Sequence, residues 1–542
     1  MALTPRTADL EAGAGRHGGG RRKRGSGSGG SGGPGGSKTT RRRRRRALRW
    51  SATILAVVIL GTAGAGYLYY RHLNASISKG ERSSGDAKAR KTAPNAAGQT
   101  PLNILLIGSD SRNSAENLEL GGSKSSVGDP PRGDVQMLIH ISADRKSAAM
   151  VSIPRDTRVD IPKCTDPDTG KVYPATNDII NTTLGRGGAG CTLATWENLT
   201  GVYIDHWMTI DFAGVVRMAD AIGGVDVCVK QNVWDHPTAA QRGGSGLKLT
   251  AGTHKVKGVQ ALQWLRTRHA WGSDLMRARA QHMYLNSMLR TLQSQNVFTD
   301  TGRLIDLANS AIKSLKVSEE IGTVKKLYDL GMEMKSVPSD RITSLTMPNL
   351  PDPQDPDNHV VPNTTDAGKL WAMLRDDIPL DKNGGTADSE QGADKPQPTK
   401  SPSTDPARLG VVVQNGTGSA SEAAVPGRAR TIAEALAAKG YGRAAADAAA
   451  PPPQDKTVVE YPSADLQGDA QGVAKALGLP ASAVKQTTSV SGVTLLLGAD
   501  WRSGTTFPKQ SKPKAGDIPS NSDAINGADK GGCMEVYKPY RW

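Results

Sequence analysis

Three short apolar runs stand out early in the chain, over 103–107, 135–141 and 148–153, each bounded by Gly, Pro or charged residues. Runs of this length and boundary chemistry read as buried strands of an α/β sheet. Their ends carry the charge: Asp110 and Arg112 follow the first run, Arg132 and Asp134 precede the second, and Arg155 and Asp156 follow the third. α/β folds build sites at such strand ends, so two carboxylates and several guanidiniums are expected to converge on one sheet edge. That composition suits a metal-bridged phosphate. Beyond the runs, helical spacing appears over 192–199, 212–222, 259–266, 274–292, 303–315 and 321–334, and strand-like runs over 207–210, 225–229 and 342–347. Alternation of the two kinds argues α/β.

The stretch 50–70 has no charged residue, and at 1.5 Å per residue it is about 31 Å long as a helix, which matches a bilayer's hydrocarbon core. Trp50 at one end and Tyr67, Tyr69 and Tyr70 at the other mark the two interfaces. The segment before it, 1–49, is mostly Gly, Ser and Arg, including Arg41 to Arg46, and is expected to be a disordered tail. Its fourteen Lys and Arg against Asp9 and Glu11 supply +12 of the chain's +16, leaving about +4 for the rest. The high pI therefore does not point to a nucleic-acid-binding fold, and no specific nucleic-acid partner is expected. The positive-inside rule places 1–49 in the cytoplasm and everything after Arg71 outside.

The remaining organisation follows from composition. Residues 71–100, polar and without periodicity, read as a stalk, and 101–379 as one α/β domain. Residues 380–407 read as a linker, and 408–501 as a small α/β domain of three short strands and two helices. Residues 502–542, rich in Lys, Pro, Ser and Gly, read as a flexible tail. Four cysteines fall in the part placed outside the membrane, where disulfides persist. Cys164 and Cys191 bracket a loop rich in Pro, Gly and Asp and are expected to pair. Cys228 is either a buried thiol or a partner for Cys533. A G-x-G-x-x-G at Gly185, Gly187 and Gly190 follows no strand of a βαβ unit, so a dinucleotide site is not expected.

The segments NILLIGSDSR, PRGDVQMLIHI and SAAMVSIPRDT, with GGVDV and ALQWLRTRH…DLMRARAQ further on, resemble the LytR-CpsA-Psr family of membrane-anchored cell-wall phosphotransferases over about 100–377. A weaker resemblance, to the family's C-terminal accessory domain, covers about 408–501. The resemblance implies transfer of a glycopolymer from a polyprenyl-pyrophosphate carrier to peptidoglycan, with the membrane, the carrier-linked polymer and peptidoglycan as partners. It also implies Mg²⁺, with Mn²⁺ as the alternative, held by Asp110 and Asp134. Arg132 and Arg155 match the family's phosphate-contacting arginines, and these four residues form the expected catalytic group, with Arg112 in support. The competing functions are a transcriptional attenuator, a carrier pyrophosphatase and a non-catalytic wall-binding scaffold. The topology argues against the first, because only an unstructured basic tail faces the cytoplasm.

A second arginine group completes the expected pyrophosphate site. Arg266 and Arg268 are two apart, so they point the same way only if the helix ends near Arg266. Asp274, Arg277 and Gln281 are spaced 0, 3 and 7, on one helical face, with Asp274 supporting the other two. The family usually carries an Arg directly before this Gln. Here that position is Ala280, and Arg279 lies one residue earlier, about 100° away around a helix, so no role is carried to it. Arginine suits the task because its planar fork grips phosphate oxygens bidentately and stays charged. Asp134 is the expected proton acceptor, and Leu138, Met150, Val215, Val216 and Met218 are candidates for an apolar groove or plain core.

Overall fold

The computed structural model describes residues 38–542 apart from Ala96, 112–113, 121–126, Ala240, 296–300, 384–399, 419–422, 449–450, Asp455 and 509–512. Arg112 and most of the expected basic tail and linker lie outside the described residues. Helix α1 (Lys38–Ser76) contains, over Leu48–Ser76, the one helix among the described residues long and apolar enough to cross a membrane. Its side chains Ile54, Leu55, Val57, Leu60 and Leu68 are exposed.

The body from Tyr70 onward is built on a mixed sheet. In chain order its strands are β1 (Ser78–Gly80), β2 (Leu102–Ser109), β3 (Gly133–Ile141), β4 (Ala148–Ile153), β5 (His206–Ile210), β6 (Leu315–Ser318) and β7 (Ile342–Thr346). In space they run β1-β6-β5-β2-β3-β4-β7, and Ile525–Asn526 adds an eighth strand beyond β7. Successive residues of β2 to β4 face opposite sides, as the two-residue period of a strand requires. Leu105, Ile107, Leu138 and Val151 pack in one core beneath α3 (Thr183–Thr200) and α9 (Thr364–Arg375). Ile104, Met137, Ile139 and Met150 enter the other, with Leu289 and Leu330 from the helices opposite. Fully buried Trp196 of α3 stands edge-on to Trp371 of α9, its Nε1 donating to Gln136 Oε1 at 2.7 Å.

The remaining helices bearing on the site are α4 (Phe212–Ile222), α5 (Gly258–Arg266) and α6 (Asp274–Ser294). All agree with the sequence reading within two residues. Their shared core includes Trp264, Trp271 and Tyr284, together with Met534, Val536 and Tyr540 from the end of the chain.

Three expectations are corrected here. The stalk over 71–100 is folded onto the body: Ile77 is buried, β1 pairs in parallel with β6, and Arg82 and Lys91 bond the buried carboxylates of Glu197 and Asp205 at 2.7 and 2.6 Å. Isolated contacts of this kind leave no periodicity in a polar sequence. Of the three glycines set aside as a dinucleotide motif, Gly187 and Gly190 serve this packing, because a Cβ at Gly190 would lie 2.6 Å from the Ser84 backbone nitrogen and one at Gly187 3.2 Å from Ser84 Oγ, whereas Gly185 abuts Pro130. The second correction is the tail over 502–542, whose described end is a strap. It adds the strand Ile525–Asn526, places Asp523 on Arg279, and ties Cys533 to Cys228. Cys164 and Cys191 are also bonded to each other. Third, the C-terminal domain has five strands rather than three among its described residues: β8 (Gly410–Asn415), β9 (Arg443–Ala446), β10 (Val458–Tyr461), β11 (Val484–Gln486) and β12 (Val493–Leu497). The two missed strands, β9 and β11, are short edge strands that pair on one side only, where mostly exposed residues are tolerated. They flank a core under α10 (Arg428–Ala438) and α11 (Gln467–Leu477).

Candidate active site

Strand register explains why residues distant in sequence meet at one edge. Ser109 at the end of β2 pairs with Gly133 at the start of antiparallel β3, and Ile153 at the end of β4 pairs with Gln136. Gly108 pairs with Ile210, which brings the end of β5 to the same edge. Asp110, Arg132, Asp134, Arg155 and Asp211 all follow from that register. A bulge between Gly108 and Ser109 turns the chain as it leaves β2. Asp110 and Arg132 then clamp each other through the backbone: the Arg132 N–H donates to Asp110 Oδ1 at 2.7 Å and the Asp110 N–H to the Arg132 carbonyl at 3.1 Å.

Arg155 is fixed between two carboxylates, Nη1 to Asp134 Oδ1 and Nε to Asp156 Oδ2, each at 3.1 Å. Burial works against its charge, but Asp134, Asp156 and Asp274 together outweigh that and raise its pKa above the ordinary arginine value. Arg277 bonds Asp274 at 3.3 Å one helical turn away. Burial pulls its pKa down, Asp274 opposes the pull, and Arg155 and Arg268 add to it. The mutual influence of Arg155, Arg268 and Arg277 means that the two arginine groups share one field, which is set for an anion.

Helix ends place the other members. Asp211 caps α4, Oδ1 accepting the Gly214 N–H at 2.8 Å and Oδ2 accepting from Asn117 Nδ2 at 2.8 Å. Phe212 follows at the first helical turn, and the Arg266 guanidinium lies 4.7 Å from its ring centroid. Asp211→Ala is expected to lower stability by about 1 kcal/mol through the lost cap, read as a lower unfolding midpoint; an unchanged midpoint would show that the cap does not hold Phe212 in place. Helix α5 ends at Arg266, with Thr267 at ψ 124°, so Arg266 and Arg268 both reach the same cavity as the spacing required. Arg266 also donates to the Leu120 carbonyl at 3.0 Å, and Gln281 Nε2 to the Leu265 carbonyl at 3.2 Å.

The cavity, about 530 Å³, opens between the sheet edge and α4, α5 and α6. Its apolar wall includes Leu106, Met137, Met208, Val215, Met218 and Leu285, and its polar residues include Asp134, Arg155, Arg266, Arg268, Arg277 and Gln281. Asp110 and Arg132 stand at the same edge but do not line it, and Arg132 is exposed. Of the groove candidates, Val215 and Met218 line the cavity. Leu138 and Met150 do not: Leu138 points to the opposite side of the sheet from Met137, and Met150 packs in the core. Val216 is about 100° around the helix from Val215 and does not line it either. Arg279 pairs with Asp523 of the strap, so declining to place it in the site agrees with the structure. Sequence reasoning passed over Phe212, Asp235, Ser245, His269 and Tyr284, all of which line the cavity. Asp235 and Ser245 sit in a Gly- and Pro-rich loop with no periodicity, and only the cluster of aromatic and acidic types in WDHP marks it.

The chain matches the model of the LytR_cpsA_psr family over residues 67–376 and that of LytR cell envelope-related transcriptional attenuator over 408–501. Cell wall biosynthesis protein LcpA of Corynebacterium glutamicum is 27% identical over 54% of this chain, which spans 58% of that relative's length. Polyisoprenyl-teichoic acid–peptidoglycan teichoic acid transferase TagT of Bacillus subtilis is 25% identical over 54% of this chain and 84% of its own length. The crystal structure of B. subtilis TagV aligns with a TM-score of 0.39 at 23% identity, covering 52% of this chain and 97% of that one.

Proposed function

Because the chain belongs to the LytR-CpsA-Psr family, we propose that it transfers a glycopolymer from a polyprenyl-pyrophosphate carrier to peptidoglycan, joining the two by a phosphodiester. The observation that carries this reading is the meeting of Arg155, Arg266, Arg268 and Arg277 with a largely apolar cavity. A substrate with an anionic pyrophosphate and a hydrocarbon tail needs both, side by side. In the reaction, a sugar hydroxyl of peptidoglycan attacks the phosphorus attached to the glycopolymer. The P–O bond to the carrier breaks, and polyprenyl phosphate leaves with the electron pair. The arginines hold the phosphoryl oxygens in line and stabilise the charge that develops on them, which is most of what phosphoryl transfer requires of a protein. The hydroxyl proton passes to a carboxylate at this edge, Asp134 by the sequence reading.

Asp110 and Asp134 are the residues that would hold Mg²⁺, or Mn²⁺. Two hard carboxylates with the other positions taken by phosphate and water is the usual way such a cation is bound. Among the described residues there is no cluster of three or more His, Cys, Asp or Glu that would suit a softer ion or a cage made wholly of protein. When bound, the cation would draw charge from the phosphoryl oxygens. We further propose that α1 anchors the protein once through the membrane. The Arg tract in its first turns stays in the cytoplasm, and the folded body lies outside among its substrates.

The test incubates the full chain with carrier-linked oligosaccharide and peptidoglycan fragments and follows adducts and free polyprenyl phosphate by mass spectrometry. Adducts are expected, falling roughly 10²-fold on chelation of divalent cations and in Asp110→Ala. Release of carrier without adducts would replace transfer by hydrolysis. Polymer binding without either product would leave a scaffold.

A further inference from the structure

Trp234 and Asp235 are neighbours on a strand end paired with Lys248–Leu249, and they differ completely in exposure, 40% against 1%. Trp234 faces outward, whereas Asp235 lines the cavity. Asp235 Oδ2 accepts the Ser245 N–H at 2.8 Å, but Oδ1, although buried, has no hydrogen-bond partner among the described residues. An unpartnered buried carboxylate oxygen is costly unless a ligand donates to it. His269, which lines the same cavity, has a buried Nδ1 that is likewise unpartnered among the described residues.

The surface above this pair is aromatic, and the strap completes it. Trp542 is 52% exposed and is fixed by donation from its Nε1 to the Val233 carbonyl at 3.0 Å. Lys248 Nζ lies 4.8 Å from the Trp234 ring centroid and 4.5 Å from that of Trp542. His236 stacks on Trp234 at 4.1 Å, Tyr540 stands edge-on to His236 and stacks on His269, and Tyr537 follows, 55% exposed. A row of rings thus runs from solvent to the cavity wall, held by the Cys228–Cys533 bond and by the Met534 N–H donating to the Cys228 carbonyl at 2.9 Å.

We propose that this row is the subsite for the acceptor, a glycan strand of peptidoglycan, whose sugars lie on Trp234 and Trp542 while one of its hydroxyls donates to Asp235 Oδ1. A pyranose ring presents a flat patch of C–H groups that packs on an indole face, with hydroxyls at its rim for Lys248 and His236. Rigid, partly exposed rings interleaved with a cation fit such a ligand better than an aliphatic one. The acceptor is the occupant because the donor is already held through its pyrophosphate and lipid, whereas the acceptor has only its saccharides to be recognised by. The inference rests on the transferase reading for the word acceptor.

The test titrates a soluble uncrosslinked peptidoglycan tetrasaccharide into the full chain by calorimetry. Trp234→Ala and Trp542→Ala are each expected to weaken binding roughly tenfold, and Trp542→Phe by no more than about threefold, since a ring is retained. Carrier-linked oligosaccharide is expected not to compete. The subsite is overturned if the wild type does not bind the tetrasaccharide, if the Ala variants bind as the wild type does, or if the carrier-linked sugar displaces it. Binding that depends on both tryptophans in a protein that forms no adducts would keep the subsite and remove the transferase reading.

Discussion

Arg155→Ala is expected to lower kcat/KM for release of polyprenyl phosphate by roughly 10³-fold, the upper range for deleting one charged donor that faces a developing negative charge. The size follows from position. Arg155 lines the cavity, and its guanidinium is the shared partner of Asp134 and Asp156. Its removal takes a positive charge from the phosphoryl group and also leaves Asp134 in the cavity wall, and Asp156 behind it in sequence, without their partner. Arg155→Lys is expected to recover about tenfold, because a point charge is restored but the fork that spans Asp134 and Asp156 is not. Steady-state kinetics with the unfolding midpoint measured alongside would decide it. A loss under tenfold in a normally folded Ala variant would remove Arg155 from the reaction.

The second large effect is on stability. His282 on α6 is 1% exposed, with Nε2 2.9 Å from Ser152 Oγ and Nδ1 unpartnered among the described residues. Burial, assisted by the charge of Arg279, pushes its pKa down to about 3 from the ordinary 6.5. Between those values the unfolded chain binds a proton that the folded one refuses. The unfolded state therefore gains as pH falls through 6.5, and the loss stops only near 3. From pH 7 to pH 4 this one group removes roughly 3 kcal/mol. Denaturant unfolding at the two pH values should show His282→Gln losing that much less than the wild type. Equal losses in the two proteins would mean that His282 is protonated in the folded state.

Much of the site was legible because it obeys short periods. The pairs Asp110 and Asp134, Arg266 and Arg268, and Arg277 and Gln281 sit where strand ends, a helix exit and a 0, 3, 7 face put them. Misreadings came where the period was right and the phase unknown. Alternation shows that β3 has two faces but not which one meets the cavity, so the sequence leaves Leu138 as groove or core; it is core, and Met137 lines the cavity. What stayed hidden has no period at all. Arg82 and Lys91 find Glu197 and Asp205 across more than a hundred residues. The strap holds on by scattered contacts: Asp517 to Lys369, Asp523 to Arg279, and Cys533 to Cys228. Each is a single long-range contact inside a stretch whose composition suggests a linker.

The strap also sets an order of events in time. Cys228 waits through 305 further residues for its partner, and the core around Trp264 and Tyr284 stays open to water until Met534, Val536 and Tyr540 arrive. The central strands and the small C-terminal domain can form without these residues, but the wall beside Arg268 and His269 is closed only when the segment from Met534 to Tyr540 docks. A molecule whose strap has not docked therefore has its sheet in place but this wall open, which makes docking of the strap a late step in building the cavity.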